Sequence, residues 1–226
     1  MSESLETAMV QVDDLCKRFP SGDDTVQVIS GLSFRVPAGE SMAVVGRSGS
    51  GKSTLLNMLC GLEMPDVGMI SVAGKRFDIS GAAKELSSQW AALRQQAIGV
   101  VFQDANLMPA MTLLENVQLR ASLAGRNVGE SMDWLATLDV AEEAHRYPDQ
   151  VSGGQRQRAA LAMVFAMHPA VILADEPTGS LDLHTAADVA DRLFEVQRDT
   201  GCTLLLATHD TALADRCHQR LDLGGR

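Results

Sequence analysis

At 226 residues, with 46% apolar and 21% charged side chains, the chain has the makeup of a soluble globular protein large enough to bury a sizeable core. Its net charge of −10 argues against nucleic acid as a partner, because that affinity comes largely from basic patches facing phosphates. Four scattered cysteines without a CxxC pair, and a polar, acidic start in place of a leader, predict a reduced cytosolic protein without a zinc site.

In chain order, residues 9–45 read as short strands broken by turns. Val10, Val12 and Leu15 are apolar, Ser21-Gly22-Asp23-Asp24 marks a turn, Val26, Val28 and Ile29 resume, and Pro37-Ala38-Gly39-Glu40 breaks again. This predicts an antiparallel sheet beside the apolar strand Met42-Ala43-Val44-Val45. Phe19 falls in this region, where its ring can stack on a base or join the core. Gly46-Arg47-Ser48-Gly49-Ser50-Gly51-Lys52-Ser53 follows that strand and opens the helical run from Thr54. Strand, glycine loop and helix in that order predict a phosphate cradle for a nucleoside triphosphate. There Lys52 reaches the β- and γ-phosphates and the Ser53 hydroxyl can ligate Mg²⁺.

Further on, Pro65-Asp66-Val67-Gly68 is a turn, 69–77 one or two strands, and 82–96 a helix. Ile98-Gly99-Val100-Val101-Phe102 reads as a buried strand ending at Gln103, and 107–111 as an apolar stretch in a loop. Residues 112–123 and 129–138 follow as amphipathic helices. From Ser152, placed like an N-cap, a helix runs to about residue 167, closed by His168-Pro169. Val171-Ile172-Leu173-Ala174 is a strand ending in Asp175-Glu176, 181–198 a helix, and 203–207 a strand before Thr208-His209-Asp210. Alternating strands and helices predict an α/β fold with a largely parallel sheet. The strand-poor stretch from 103 to 150 predicts an inserted helical lobe, so 1–226 forms one unit of two lobes. The apolar run 159–174 is interrupted and too short to span a bilayer.

Two elements accompany the phosphate loop. Asp175 at a strand end can hold a metal and Glu176 can polarise an attacking water. Val151-Ser152-Gly153-Gly154-Gln155 before a helix makes a second anion-seeking helix end, which suggests that two copies share nucleotides.

Together these pieces resemble the ATP-binding cassette (ABC) ATPases over nearly the whole chain: the phosphate loop, Gln103 after a strand, the signature Val151-Ser152-Gly153-Gly154-Gln155, Asp175-Glu176-Pro177-Thr178, Ser180-Leu181-Asp182 and His209, in the family's order. The resemblance implies a P-loop NTPase with a RecA-like core, an N-terminal antiparallel β subdomain and a helical subdomain inserted at about 104–165. It implies ATP and Mg²⁺ as ligands. Phe19 would stack on adenine; Gly46, Arg47, Ser48, Gly49, Ser50, Gly51, Lys52, Ser53 and Thr54 would cradle phosphates. Ser53, Gln103 and Asp175 would hold the metal, Glu176 would be the catalytic base, and His209 and Gln103 would act at the γ-phosphate. Ser152, Gly153, Gly154 and Gln155 would close over ATP on the opposite subunit of a head-to-tail homodimer, with Asp182 communicating between the sites. Integral membrane permease subunits would be the further partners, on the cytoplasmic face of the inner membrane.

Within the family, Asn106-Leu107-Met108-Pro109, Leu113-Leu114-Glu115-Asn116-Val117 and Leu173-Ala174-Asp175-Glu176-Pro177-Thr178-Gly179 look like the lipoprotein-release, macrolide-export and cell-division group. An amino-acid importer ATPase or a soluble non-transport cassette is the alternative. The chain ends soon after His209, which implies no C-terminal regulatory domain of the importer kind. Val151 stands where the signature has Leu, and Ala162-Met163-Val164-Phe165 lacks the family's Arg, which implies a lost ion pair. Residues 107–117 either line a groove for a permease helix or pack the lobe core.

Overall fold

The structure, a computed structural model, describes residues 8–22, 24–78 and 83–224. β1 (Ala8–Ser21) and β2 (Asp24–Pro37) form an antiparallel hairpin turning at Gly22. The strands are longer than expected, 14 residues each, and a β-bulge explains how. Val10 and Val12 point inward at period two, but Leu15 is three residues on and would face outward in a regular strand. The register shifts between Val12 and Leu15, with Asp14 at φ 50, and all three side chains end fully buried. β4 (Val67–Val72) and β5 (Lys75–Asp78) complete a sheet of order β2-β1-β4-β5.

The second sheet combines β3 (Ser41–Val45), β6 (Ile98–Val101), β7 (Val171–Asp175), β8 (Thr203–Ala207) and β9 (Gln219–Asp222) in the order β6-β7-β8-β3-β9. The pairings β6–β7, β7–β8, β8–β3 and β3–β9 are parallel, and the central strands are largely apolar because both faces are covered. Between the two sheets lies α1 (Lys52–Leu59), where Leu55, Met58 and Leu59 meet Val10, Val12 and Ile70 on one side and Val44, Leu173 and Leu205 on the other. The opposite face of the parallel sheet carries Ile172, Leu204 and Leu206. These pack with α3 (Leu113–Leu123), α4 (Ser131–Thr137), α5 (Gly153–Phe165) and α6 (Leu183–Thr200) in one cluster. Alternation along each strand therefore divides the core into two layers.

The helix expected at 82–96 is α2 (Ala83–Gln96), its first expected residue lying outside the described ones. The helix expected from 129 opens as a 3₁₀ turn, Val128–Glu130, before α4. The short helix α7 (Thr211–Ala214) and edge strand β9 had no sequence signal. Two arginines join helix ends across the molecule. Arg94 of α2 donates to the Cys60 and Gly61 carbonyls at the end of α1 (2.8 and 3.1 Å). Arg120 of α3 donates to the Arg94 and Gln95 carbonyls at the end of α2 (2.6 and 3.3 Å). Each satisfies carbonyls that a helix end leaves unpaired and complements its negative pole. Burial lowers the Arg120 pKa from its ordinary value.

Candidate functional site

The site forms where β3, β8 and β7 stand side by side and end together. The phosphate loop follows β3, Asp175 and Glu176 end β7, and His209 follows β8. Ligands of open α/β sheets collect at such carboxyl ends. A cleft of about 420 Å³ opens there, lined by Phe19, Ser48, Gly49, Gly51, Lys52, Ser53, Thr54, Gln103, Asp175 and Glu176. Gly51 caps α1 in a left-handed conformation, φ 98, and a Cβ there would lie 2.7 Å from Val28 Cγ1. The loop can pass between β2 and the helix only with glycine at that point.

Lys52 is 7% exposed, and its Nζ donates to the carbonyls of Gly46 (3.0 Å) and Arg47 (3.3 Å). The same ammonium lies 3.7 Å from Glu176 Oε1, while Glu176 Oε2 is 2.8 Å from His209 Nδ1. Glu176 thus stands between two potential cations. Its backbone is left-handed at φ 46, yet its N–H still bonds Ala207 O at 2.9 Å. A bulky non-glycine residue held there is strained, and strain of this kind persists at functional sites where the surroundings over-determine the conformation.

Phe19 forms one wall of the cleft, with Lys17 Nζ 4.9 Å from its ring centroid. Gly179 fits closely against the site: a Cβ there would be 3.3 Å from both Gln103 Nε2 and Glu176 Oε2. Ser53, Gln103 and Asp175 supply a hydroxyl, an amide and one carboxylate to the same cleft. Hard oxygen donors of this kind suit Mg²⁺, which takes one or two carboxylates together with substrate phosphate and water. Among the described residues, no group of three or more His, Cys, Asp or Glu is placed to hold a metal by protein side chains alone.

Other residues singled out from the sequence lie off this cleft. Gly46, Arg47 and His209 border an adjoining cleft of about 390 Å³ with Arg220 and Asp222. Ser50 has a buried hydroxyl without a hydrogen-bond partner. Ser152, Gly153, Gly154 and Gln155 are at the start of α5, away from the cleft of their own chain. There Ser152 Oγ accepts from Gln155 N (3.2 Å) and Gln155 Oε1 accepts from Ser152 N (2.8 Å), a reciprocal capping box. Asp182 caps α6, accepting from His184 N, Thr185 N and Thr185 Oγ1 at 2.7–3.2 Å. The Thr185 bonds chiefly lower the Asp182 pKa.

Within 107–117, Leu107 and Leu114 pack against the core, as the packing reading expects, and Met108 is 54% exposed. The sequence reading missed Asn116. This side chain, 1% exposed, accepts from Met108 N (2.6 Å) and donates to the carbonyls of Met108, Met111 and Thr112 (2.9–3.2 Å). An Asn in an amphipathic helix carries no pattern signal, so only the fold reveals that it ties down the loop. Glu115 closes a capping box with Thr112, whose backbone bond chiefly lowers its pKa. Met163, where the family has Arg, packs against the core, and Val151 is buried in it.

The ABC transporter family model matches residues 29–179. The chain is 38% identical over 221 residues (96% of this chain, 88% of the relative) to the lipoprotein-releasing system ATP-binding protein LolD of Xanthomonas oryzae pv. oryzae. It is 40% identical over 222 residues (95% and 94%) to the ABC transporter ATP-binding protein YbbA of Escherichia coli K12. A solved dimer of the ATP-binding cassette MJ0796 bound to ADP and Pi superposes with a TM-score of 0.84 at 30% identity, covering 96% of this chain and 94% of that one. The phosphate loop, the paired acidic residues on β7 and these likenesses agree, and the chain belongs to the ABC transporter family, as an ATP-binding and ATP-hydrolysing cassette.

Proposed function

We propose that this cassette drives an export or lipoprotein-release complex, working as a head-to-tail homodimer docked on integral membrane permease subunits. The carrying observation is the grouping of Lys52, Glu176 and His209 at adjacent strand ends, with Lys52 and Glu176 lining the cleft and the signature Ser152-Gly153-Gly154-Gln155 off it at the start of α5. A cleft that holds the β,γ-phosphates but lacks the second helix end calls for that end from a second copy. The dimeric MJ0796 cassette and the name of the lipoprotein-releasing relative support both halves of the reading. Among the described residues no helix is long and apolar enough to cross a membrane, so the span comes from the partner. The location is the cytoplasmic face of the inner membrane.

Phe19 stacks on adenine, Lys52 and the loop amides bind the β,γ-phosphates, and Ser53, Gln103 and Asp175 hold Mg²⁺. When bound, the metal would supply neutralisation of charge on the phosphates. Glu176 accepts a proton from the attacking water, and His209, bonded to the same carboxylate, fixes its orientation. Catalysis is mainly positioning and electrostatic stabilisation of the transferred phosphoryl group.

Glu176→Gln tests this. Turnover should fall about 10²–10⁴-fold, the range for removing a general base, with ATP binding kept and the dimer accumulating in light scattering. Affinity purification of this variant from solubilised membranes with ATP and Mg²⁺ should recover a four-helix permease with a large extracytoplasmic domain. Recovery of a multi-helix importer permease points to the amino-acid importer reading; near-wild-type turnover removes Glu176 as the base.

A further inference from the structure

We infer that Gln157, a residue outside the ATP cleft, is a positioning residue that holds Gln103 at the cleft by bonding the backbone just before it. The inference rests on the proposed role of Gln103 and deepens it. Gln157 lies in α5, the helix that starts at the signature, and is 2% exposed. Its Nε2 donates to Phe102 O at 3.0 Å. The β6 ladder ends at the pair Val101–Ala174, so the Phe102 carbonyl has left the sheet and must find its partner elsewhere. Gln157 is that partner.

The next residue is held from the other side. Ser180 Oγ, just past the acidic pair, reaches Gln103 O at 3.4 Å. The two-residue segment Phe102-Gln103 is thus bracketed by α5 on one flank and by the 176–180 turn on the other. α5 is seated on β6 at a second point as well: a Cβ on Gly99 would lie 2.4 Å from Val164 Cγ1, leaving no slack between helix and strand. Close packing transmits displacement instead of absorbing it. A movement of the signature helix, such as docking onto the partner's ATP, must therefore pull on the Phe102 carbonyl and re-aim Gln103. Gln157 makes the metal-facing amide responsive to the position of the signature in the same chain.

Gln157→Met keeps length and burial while removing the donor. In the full-length protein we expect kcat to fall about tenfold with KM for ATP within about twofold, since the bond matters to arrangement at the γ-phosphate and not to ground-state binding. Placed on Gln103→Ala, the same substitution should cause no further loss, because its effect runs through that side chain. Hydrogen exchange should quicken at amides 103–106 and stay unchanged in α1. Unchanged kcat, losses that multiply in the double variant, or unchanged exchange at 103–106 overturns the inference, and so does a kcat untouched by Gln103→Ala. Loosening spread evenly along α5 with a matching loss of thermal stability assigns Gln157 an ordinary packing role and also overturns it. If the wild-type protein shows no turnover, the proposed function fails separately, and the exchange measurement alone decides whether Gln157 holds the strand end.

Discussion

Gly154 of the signature is held by a contact that has nothing to do with phosphate. A Cβ at this position would lie 2.2 Å from Thr185 Cγ2. Ordinary carbon contacts sit at about 3.5–4.0 Å, so Gly154→Ala creates an overlap of about 1.5 Å. Thr185 cannot simply rotate away, because its hydroxyl donates to Asp182 Oδ2 at 2.7 Å and its N–H to Asp182 Oδ1 at 3.1 Å. Overpacking of this kind costs about 1–3 kcal/mol. Alanine recovers up to about 1 kcal/mol of helix propensity, and less in a first turn, so the net loss is about 1–2 kcal/mol. For a chain of this length that lowers the melting temperature by about 2–8 °C. Thr185→Ser removes the offending methyl and keeps the hydroxyl bonded to Asp182, so the double variant should return to within about 2 °C of the parent. Thermal melts of the two single variants and the double one decide the matter. A double variant as unstable as Gly154→Ala would refute the reasoning, since the clash would then not be the cause.

Two further outcomes follow from a buried and a half-buried side chain. Asn116→Ala removes four hydrogen bonds and orphans loop carbonyls, a loss of about 3 kcal/mol and a melting temperature lower by about 6–12 °C; proteolysis within 107–111 should quicken, and a drop under about 2 °C would show the loop held by other means. Burial pushes the Cys217 thiol up to about 11. At pH 8 its thiolate fraction is about a hundredfold below that of an ordinary thiol, so alkylation followed by mass spectrometry should be slow until the protein is unfolded; labelling in the native protein at the unfolded rate contradicts this burial.

The site was legible wherever its chemistry is written in contiguous residues. Gly46 to Ser53 and Asp175-Glu176 each follow an apolar run, and the local pattern fixes their place at a sheet's carboxyl edge. What the pattern could not supply was tertiary. β9 is a four-residue strand, Gln-Arg-Leu-Asp, whose polar side chains alternate with nothing distinctive and which exists because β3 offers it an edge. The full length of β1 depends on a bulge at Asp13-Asp14, which the alternation of apolar residues does not announce. Ser152 was recognisable as an N-cap from its place just before a long helical run, whereas Asn116 and Gln157 act on carbonyls of loops and share the composition of any helix surface. A glutamate at φ 46 cannot be foreseen from its neighbours, because glutamate has no preference for that region.

The placing of β3 has a bearing on how the protein is made. This strand, which carries the phosphate loop, has only β8 and β9 for neighbours, with Ser41 opposite Leu204 and Met42 opposite Gln219. A ribosome has therefore synthesised the loop long before the strands that anchor it exist. Pairing over so great a sequence separation is slow to form. On this pairing the emerging chain completes its ATP cleft only once residues 203–222 have left the exit tunnel, so nucleotide binding reports that β8 and β9 are in place. Until then the apolar Met42-Ala43-Val44-Val45 is an unpaired edge exposed to aggregation, and this segment is where a chaperone would have most to protect.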